Sequence, residues 1–220
     1  MTERNLHQTM QQAGAQDQVS ETKTSRSFAR WVGFEEKTLW DWFQMLVVPV
    51  ALAIGALYID ITASYIAADR QREESMNDYF SEMTTLLLEH NLRQADKASE
   101  VRSVARVRTL TTLRKMDGAR KGFIMLFLSE SKLIYRDDPI VSLYGANLLR
   151  ADLTGIDLSN TDLQNVYLHQ AKFDHTELDG ANLSNAVLTE AELKDTNLMD
   201  AHLCNTYFPD GAPNNRDCPE

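Results

Sequence analysis

The sequence has little from which to build a metal or redox centre. Its two cysteines, Cys204 and Cys218, fall short of the roughly four ligands that a zinc ribbon or an iron–sulfur framework requires. The five histidines do not compensate, because no HxxxH or HExxH spacing occurs. Walker, GxGxxG and GxSxG loops are missing as well, so the usual nucleotide, dinucleotide and hydrolase signatures are absent. Positive charge is also scarce: 22 Lys and Arg stand against 32 Asp and Glu, a net charge of -10. That balance argues against direct binding to a phosphate backbone. These absences point away from an enzyme: no catalytic residue, cofactor or metal is expected, and nucleic acid is not an expected partner.

What is present is unevenly distributed. Residues 139–220 carry 13 acids and 4 bases, whereas residues 1–138 are close to neutral with 19 and 18. Residues 1–32, rich in Gln, Thr, Ser and charge, bury too little apolar surface to offset ordering entropy and are expected to be a disordered tail. From Trp42 to Ile59 the chain has 18 residues without a charge, about 27 Å as a helix, close to the roughly 30 Å bilayer core. Trp40, Trp42 and Phe43 at one end and Tyr58 and Tyr65 near the other suit the two membrane interfaces. A buried helix of a soluble core is the alternative. Residues 33–67 are therefore expected to be a transmembrane anchor, kinked at Pro49, retained in the mature protein and in contact with membrane lipid. Two orientation signals oppose each other. Lys23, Arg26, Arg30 and Lys37 before the span favour an internal N-terminus, and the basic stretch from Arg102 through Lys121 favours the opposite.

Residues 68–138 read as a helical juxtamembrane segment. Met76, Phe80, Met83 and Leu87 make one apolar stripe. A second helix is expected from about Ser99 to Met116, with Val101, Val104, Ala105 and Leu113 on its apolar side. Asp117-Gly118 marks a stop and a new start, and Leu133 and Ile134 follow the apolar run Phe123 to Leu128 at helical distance. The basic residues here are read as a solvated face, with lipid headgroups or an acidic partner as the functional alternative.

The strongest signal is a five-residue period. Leu or Phe occupies every fifth position from Leu143 to Phe208, and two residues earlier the side chain is small or β-branched each time. Neither a helix nor a strand has this period, but a solenoid does. In Ala146-Asn147-Leu148, Ala151-Asp152-Leu153 and Ala181-Asn182-Leu183 the pattern closely resembles the pentapeptide-repeat family. The stretches Arg108 to Arg114, Asp117-Gly118, Arg120 to Gly122, Leu126 to Ser131 and Trp40-Asp41-Trp42 are similar to membrane-anchored cyanobacterial members. The ending, with Cys204-Asn205-Thr206, Pro209-Asp210-Gly211, Asn214-Asn215 and Cys218, is similar to the tail that often closes such repeats.

The resemblance covers about residues 33–220 and implies a mainly β solenoid. This is a right-handed quadrilateral β-helix over residues 139–208, with four pentapeptides to a coil, closed by a cap at 209–220. Such a rod is about 17 Å long at about 4.8 Å per coil. It also implies a non-enzymatic, single-pass integral membrane protein of a cyanobacterial thylakoid or plasma membrane. Its solenoid would serve as a protein-docking or scaffold module, as in an accessory subunit of a photosynthetic or transport complex. The alternative drawn from soluble members is a DNA mimic that inhibits a nucleic-acid enzyme, although about 17 Å spans only about five base pairs.

With 20 residues per coil, outward residues stack in columns. Tyr167, Val187 and Tyr207, with Leu149 nearby, are the protein-contact candidates. Asp157, Glu177, Asp179 and Asp200 form an acidic face, either solvated or met by a basic partner. Asp152, Lys172 and Glu192 read as a surface ladder of alternating charge, and Asn165, Asn185 and Asn205 as a structural turn column. His169, His175 and His202 fall on three faces and cannot share a metal. Cys204 and Cys218 are either a disulfide staple on the folded-back tail or two unpaired thiols.

Overall fold

The computed structural model describes residues 39–219. The expected tail, the first residues of the expected anchor and the bases that precede the span lie outside them. The chain divides into two units, residues 1–65 and 66–220.

Helix α1, Leu39–Leu88, is 50 residues long, with Pro49 in its interior. Among the described residues it is the one helix long and apolar enough to cross a membrane, with a mean hydropathy of 2.1 over its apolar window. Among the described residues nothing covers that window: Leu46, Val50, Leu52, Ile54 and Leu57 are all exposed. The apolar surface does not stop at Asp60, since Ile61, Tyr65 and Ile66 are exposed beyond it. Polar groups within this stretch are satisfied locally. The Thr62 hydroxyl donates to the Tyr58 and Ile59 carbonyls, and the Ser64 hydroxyl to Ile61.

In the second unit the character of α1 changes. Met76, Tyr79 and Met83 are buried, and Phe80 and Leu87 pack at the edge of the same core. After α1 the chain turns through Asn91, in the left-handed conformation, into a short 3-10 turn at Leu92–Gln94. Helix α2, Glu100–Lys115, starts at Ser99, whose side chain accepts the Arg102 amide. It faces the core with Ala105, Thr109 and Leu113. The buried Thr109 hydroxyl donates to Ala105 and is 3.0 Å from the Tyr79 hydroxyl, which ties α1 to α2. Burial pushes the Tyr79 phenol far above its ordinary value, only partly opposed by the Thr109 bond. Helix α3, Gly118–Glu130, starts at Asp117, whose side chain accepts the Arg120 amide. Ile124, Met125 and Leu128 of α3 are fully buried.

Two expectations are corrected in this segment. Val104 is exposed, and Thr109 holds the core position instead. Leu133 and Ile134 are not helical. Lys132 adopts a left-handed backbone after α3, and the chain then passes through turns, with Tyr135 between them bridged antiparallel to Thr161.

Beyond residue 140 the repeat folds into coils of 20 residues. Each interior coil sits on the next through bridges such as Asn147 to Tyr167 and Tyr167 to Val187. The column from Leu143 to Leu188 is fully buried, with Phe173 among its members, and the small Ala and Thr column shares the interior. Corners recur every five residues. The Ala151 amide donates to the Leu148 carbonyl, and Arg150 between them has φ +55, the arrangement of a type II turn. This explains why the solenoid contains little regular strand, a refinement of the mainly β expectation. A five-residue side with a four-residue turn leaves one residue to bridge, so the extended pairing stays at single bridges. The two-residue strands β1, Thr206–Tyr207, and β2, Pro213–Asn214, pair antiparallel in the closing tail.

Both ends of the coil stack are dressed. Below the first coil, Asp152 and Asp162 amides donate to the Gly118 and Ile134 carbonyls, each at 2.9 or 2.8 Å. The Lys121 ammonium donates to Leu149 O, and the Ser129 hydroxyl to Asp157 O. Above the last coil, Asp217 and Asn215 side chains accept the Leu203 and Asn205 amides, and Arg216 donates to Ala201 O. Cys204 and Cys218 are disulfide-bonded, with Cα atoms 4.7 Å apart.

Candidate functional site

The outward residue before each core Leu or Phe is the one that bridges to the next coil, so a side chain there is aimed straight out and stacked 20 residues from its neighbours. Asn147, Tyr167, Val187 and Tyr207 form one such column, joined by consecutive parallel bridges. Tyr167 is 55% exposed and Tyr207 38%, with Val187 half-buried between them. The result is a narrow apolar stripe with two phenol hydroxyls. Leu149 lies one column over, at the corner beside Arg150, and its carbonyl takes the Lys121 ammonium. It stacks with His169 and Thr189, whose side chains are bonded at 2.8 Å. Next to it runs a polar ladder that the sequence reading missed. Arg150 Nε donates to Gln170 Oε1, and Gln170 Nε2 donates to Glu190 Oε2. These are left-handed corner residues, and the signal for them was their common spacing of 20.

The four acidic candidates do not share a column. Asp157 and Glu177 stack with Asn197, whose amide donates to Glu177 at 2.8 Å. The Ser159 hydroxyl and amide hold the Asp157 carboxyl below its ordinary value. Asp179 stands one column away with one buried, unpartnered oxygen, and Asp200 occupies a left-handed corner. The alternating column Asp152, Lys172, Glu192 is bridged coil to coil, yet no ion pair joins these side chains among the described residues. In the Asn165, Asn185, Asn205 column, Asn205 donates to Asn185.

The basic residues of the helical segment divide: Arg108, Arg114 and Lys115 are exposed, as a solvated face requires, whereas Arg102, Arg120 and Lys121 are drawn into the fold. Arg102 is buried and paired with Asp138, which Arg102 and then Lys97 hold below its ordinary value. Arg120 gathers Asp117, Asp69 and Glu73. Lys121 is buried, and burial lowers its ammonium despite nearby Asp117. Their common role is to tie helices to each other and to the first coil. Among the described residues no group of three or more His, Cys, Asp or Glu converges as a metal site. His175 and His202 stand near Asp195 and Asp217 on separate sides of the coil.

Fold and columns together define a β-solenoid with five-residue sides. The family model for pentapeptide repeats matches residues 142–178 and 167–205, so this part of the chain is a run of pentapeptide repeats. Repeats of this kind imply a right-handed β-helix and generally serve as structural or interaction modules rather than enzymes. Among solved structures, the chain is similar to HetL of Nostoc sp. strain PCC 7120, described as involved in heterocyst differentiation regulation. Identity there is 28% over 34% of this chain and 40% of that one, with a TM-score of 0.15. Rfr23 of Cyanothece 51142 is 30% identical over 27% of this chain and 54% of its own, with a TM-score of 0.16. A pentapeptide-repeat protein of the Arabidopsis thaliana thylakoid lumen is 29% identical over 30% and 50%, with a TM-score of 0.17. The chain thus spans about half the length of these relatives or less. No curated protein matches it.

Proposed function

We propose that the protein is a non-enzymatic, single-pass membrane protein that presents its short solenoid as a docking module, with an accessory role in a cyanobacterial membrane complex. The observation that carries the docking role is the column Tyr167, Val187, Tyr207. A soluble solenoid gains nothing from placing large apolar groups in register on an outward face, whereas aromatic anchors of this kind are what protein interfaces use. The anchoring role is supported by α1, whose apolar residues, Leu52, Ile54 and Leu57 among them, are exposed.

The test combines insertion and capture. Carbonate-resistant membrane association that is lost on replacing Leu52, Ile54 and Leu57 with Asp supports the anchor, and an unchanged soluble pool overturns it. For docking, complexes from gently solubilised membranes are compared between the intact protein and a Tyr167→Lys, Tyr207→Lys variant with the same thermal midpoint. A stoichiometric partner lost only in the variant supports the face, and a partner retained by the variant removes it.

A further inference from the structure

The two ends of the coil stack are closed to different extents. Below the first coil, α3 and the turns after it supply carbonyls, an ammonium and a hydroxyl to three of the four sides. Above the last coil, the closing tail turns back along Thr206 and Tyr207 and then serves the side of Leu203. The sides centred on Leu193 and Leu198 receive nothing from it. Among the described residues, the amides of Leu193, Asp195, Leu198 and Asp200 and the carbonyls of Ala191 and Thr196 have no hydrogen-bond partner.

One coil lower, the equivalent groups are all used, in a fixed pattern. Phe173 and Leu178 amides donate to Glu192 and Asn197 carbonyls at 2.8 Å, and His175 and Gly180 amides donate to Lys194 and Met199 carbonyls. Glu192 and Asn197 amides return bonds to Ala171 and Thr176 carbonyls. The rim therefore presents, in the correct order, the donors and acceptors that one further pentapeptide pair would meet. Its side chains agree with an unfinished layer: Leu193 and Leu198 are only partly buried, and Met199 is 67% exposed. Unpaired edge groups of this kind template the addition of an extended segment.

Charge selects the occupant. Glu190, Glu192, Asp195 and Asp200 surround the rim, against Lys194 and, beside Asp200, Arg216 at the Ala201 carbonyl. A second copy of this rim would bring like charges together, and the opposite end of the stack is already dressed by α3. An extended segment with lysine or arginine at its outward positions meets both the backbone pattern and the field. We propose that the Leu193–Asp200 rim is a β-augmentation site for a basic, extended segment of a partner protein, two pentapeptides long and parallel to the last coil. This surface is independent of the tyrosine column.

The test is amide hydrogen exchange on the full chain in lipid nanodiscs, with and without a capped peptide that repeats Ala-Lys-Leu-Lys-Gly twice. In the free protein the Leu193, Asp195, Leu198 and Asp200 amides exchange fast, and the Leu153, Gly155, Leu158 and Asn160 amides exchange slowly. The peptide slows the first four by ~10-fold or more and leaves the second four unchanged. Replacing the peptide's lysines with glutamate removes the protection, and a Glu192→Lys, Asp195→Lys, Asp200→Lys variant restores it for the acidic peptide. Slow exchange before any peptide is added, no protection by the basic peptide, or protection that rises with protein concentration alone each overturns the proposal, the last in favour of a second copy.

Discussion

The Asp152 amide donates to the Gly118 carbonyl at 2.9 Å, so the first turn of α3 takes the place of the coil that would lie beneath the Leu153 side. Gly122, one helical turn on, lies against the same backbone. An added Cβ at Gly118 or Gly122 falls well inside contact distance of the Arg150 or Asp152 carbonyl oxygen. Neither obstacle is a side chain that can swing away. Gly122→Ala is thus expected to lower stability by about 1–3 kcal/mol, despite the better helix propensity of alanine. Chemical denaturation of the detergent-solubilised chain checks this, and an unchanged midpoint would show that α3 is free to shift off the coil.

The Tyr79 and Thr109 pair gives a second prediction, through its asymmetry. Thr109 spends its proton on Ala105, so Tyr79 is the donor between the two hydroxyls. Tyr79→Phe removes a donor and leaves an oxygen that still has one partner. Thr109→Val leaves the Tyr79 hydroxyl buried with no acceptor. The first should cost about 0.5–1.5 kcal/mol and the second about 1–3 kcal/mol, so thermal midpoints are expected in the order wild type, Tyr79→Phe, Thr109→Val. The reverse order would assign the pair the opposite donor.

These two contacts also mark what was legible in the sequence. The solenoid was readable because its period is unlike that of any helix or strand, and because the same residue type fills the axis at Leu148 and its equivalents. The helices were readable from the apolar stripe Met76, Phe80, Met83 and Leu87 and from the break at Asp117-Gly118. The cap beneath the first coil was not. Gly118, Lys121 and Ile134 meet the solenoid through backbone atoms and one ammonium, and backbone bonds leave no mark on residue type. Lys121 looked like part of a solvated basic face because burial of a lysine is signalled only by the carbonyl it reaches. The stacked tyrosines were visible in advance because the spacing of 20 is a property of the fold that the repeat itself imposes.

Asp162 supplies a pH-dependent prediction. Burial raises its carboxyl above the ordinary value of 3.8, against the opposing bonds from the Gln164 amide and the Asn182 side chain. A carboxyl raised on folding binds its proton more tightly in the folded state. Its penalty is absent below the unfolded value, grows as pH rises through the folded value, and is complete at neutral pH. Asp162→Asn retains an oxygen for both donors and removes the charge. It is expected to raise the thermal midpoint at pH 7 by a small amount, because half of the group is open to water and screened. The gain should vanish below the ordinary carboxyl value. A gain of equal size at both pH values would mean that the side chain acts through packing rather than ionisation.

The Cys204–Cys218 bond gives the last prediction, since it holds the segment whose side chains close the Leu203 side. It encloses a sequence separation of 14 residues, for which loop-closure entropy alone gives about 3 kcal/mol. Cutting it frees Asn215, Arg216 and Asp217 to leave together, and with them the acceptors of the Leu203 and Asn205 amides. Reduction, or a Cys204→Ser, Cys218→Ser variant, is therefore expected to act locally. Exchange at Leu203 and Asn205 should rise toward that of the neighbouring open rim, while Tyr207, bonded to Ala186 of the coil beneath, and Leu153 and Leu158 in the first coil stay protected. Loss of protection through all coils at once would mean instead that the solenoid unfolds as a single cooperative unit, and that the staple stabilises the whole stack rather than its last side.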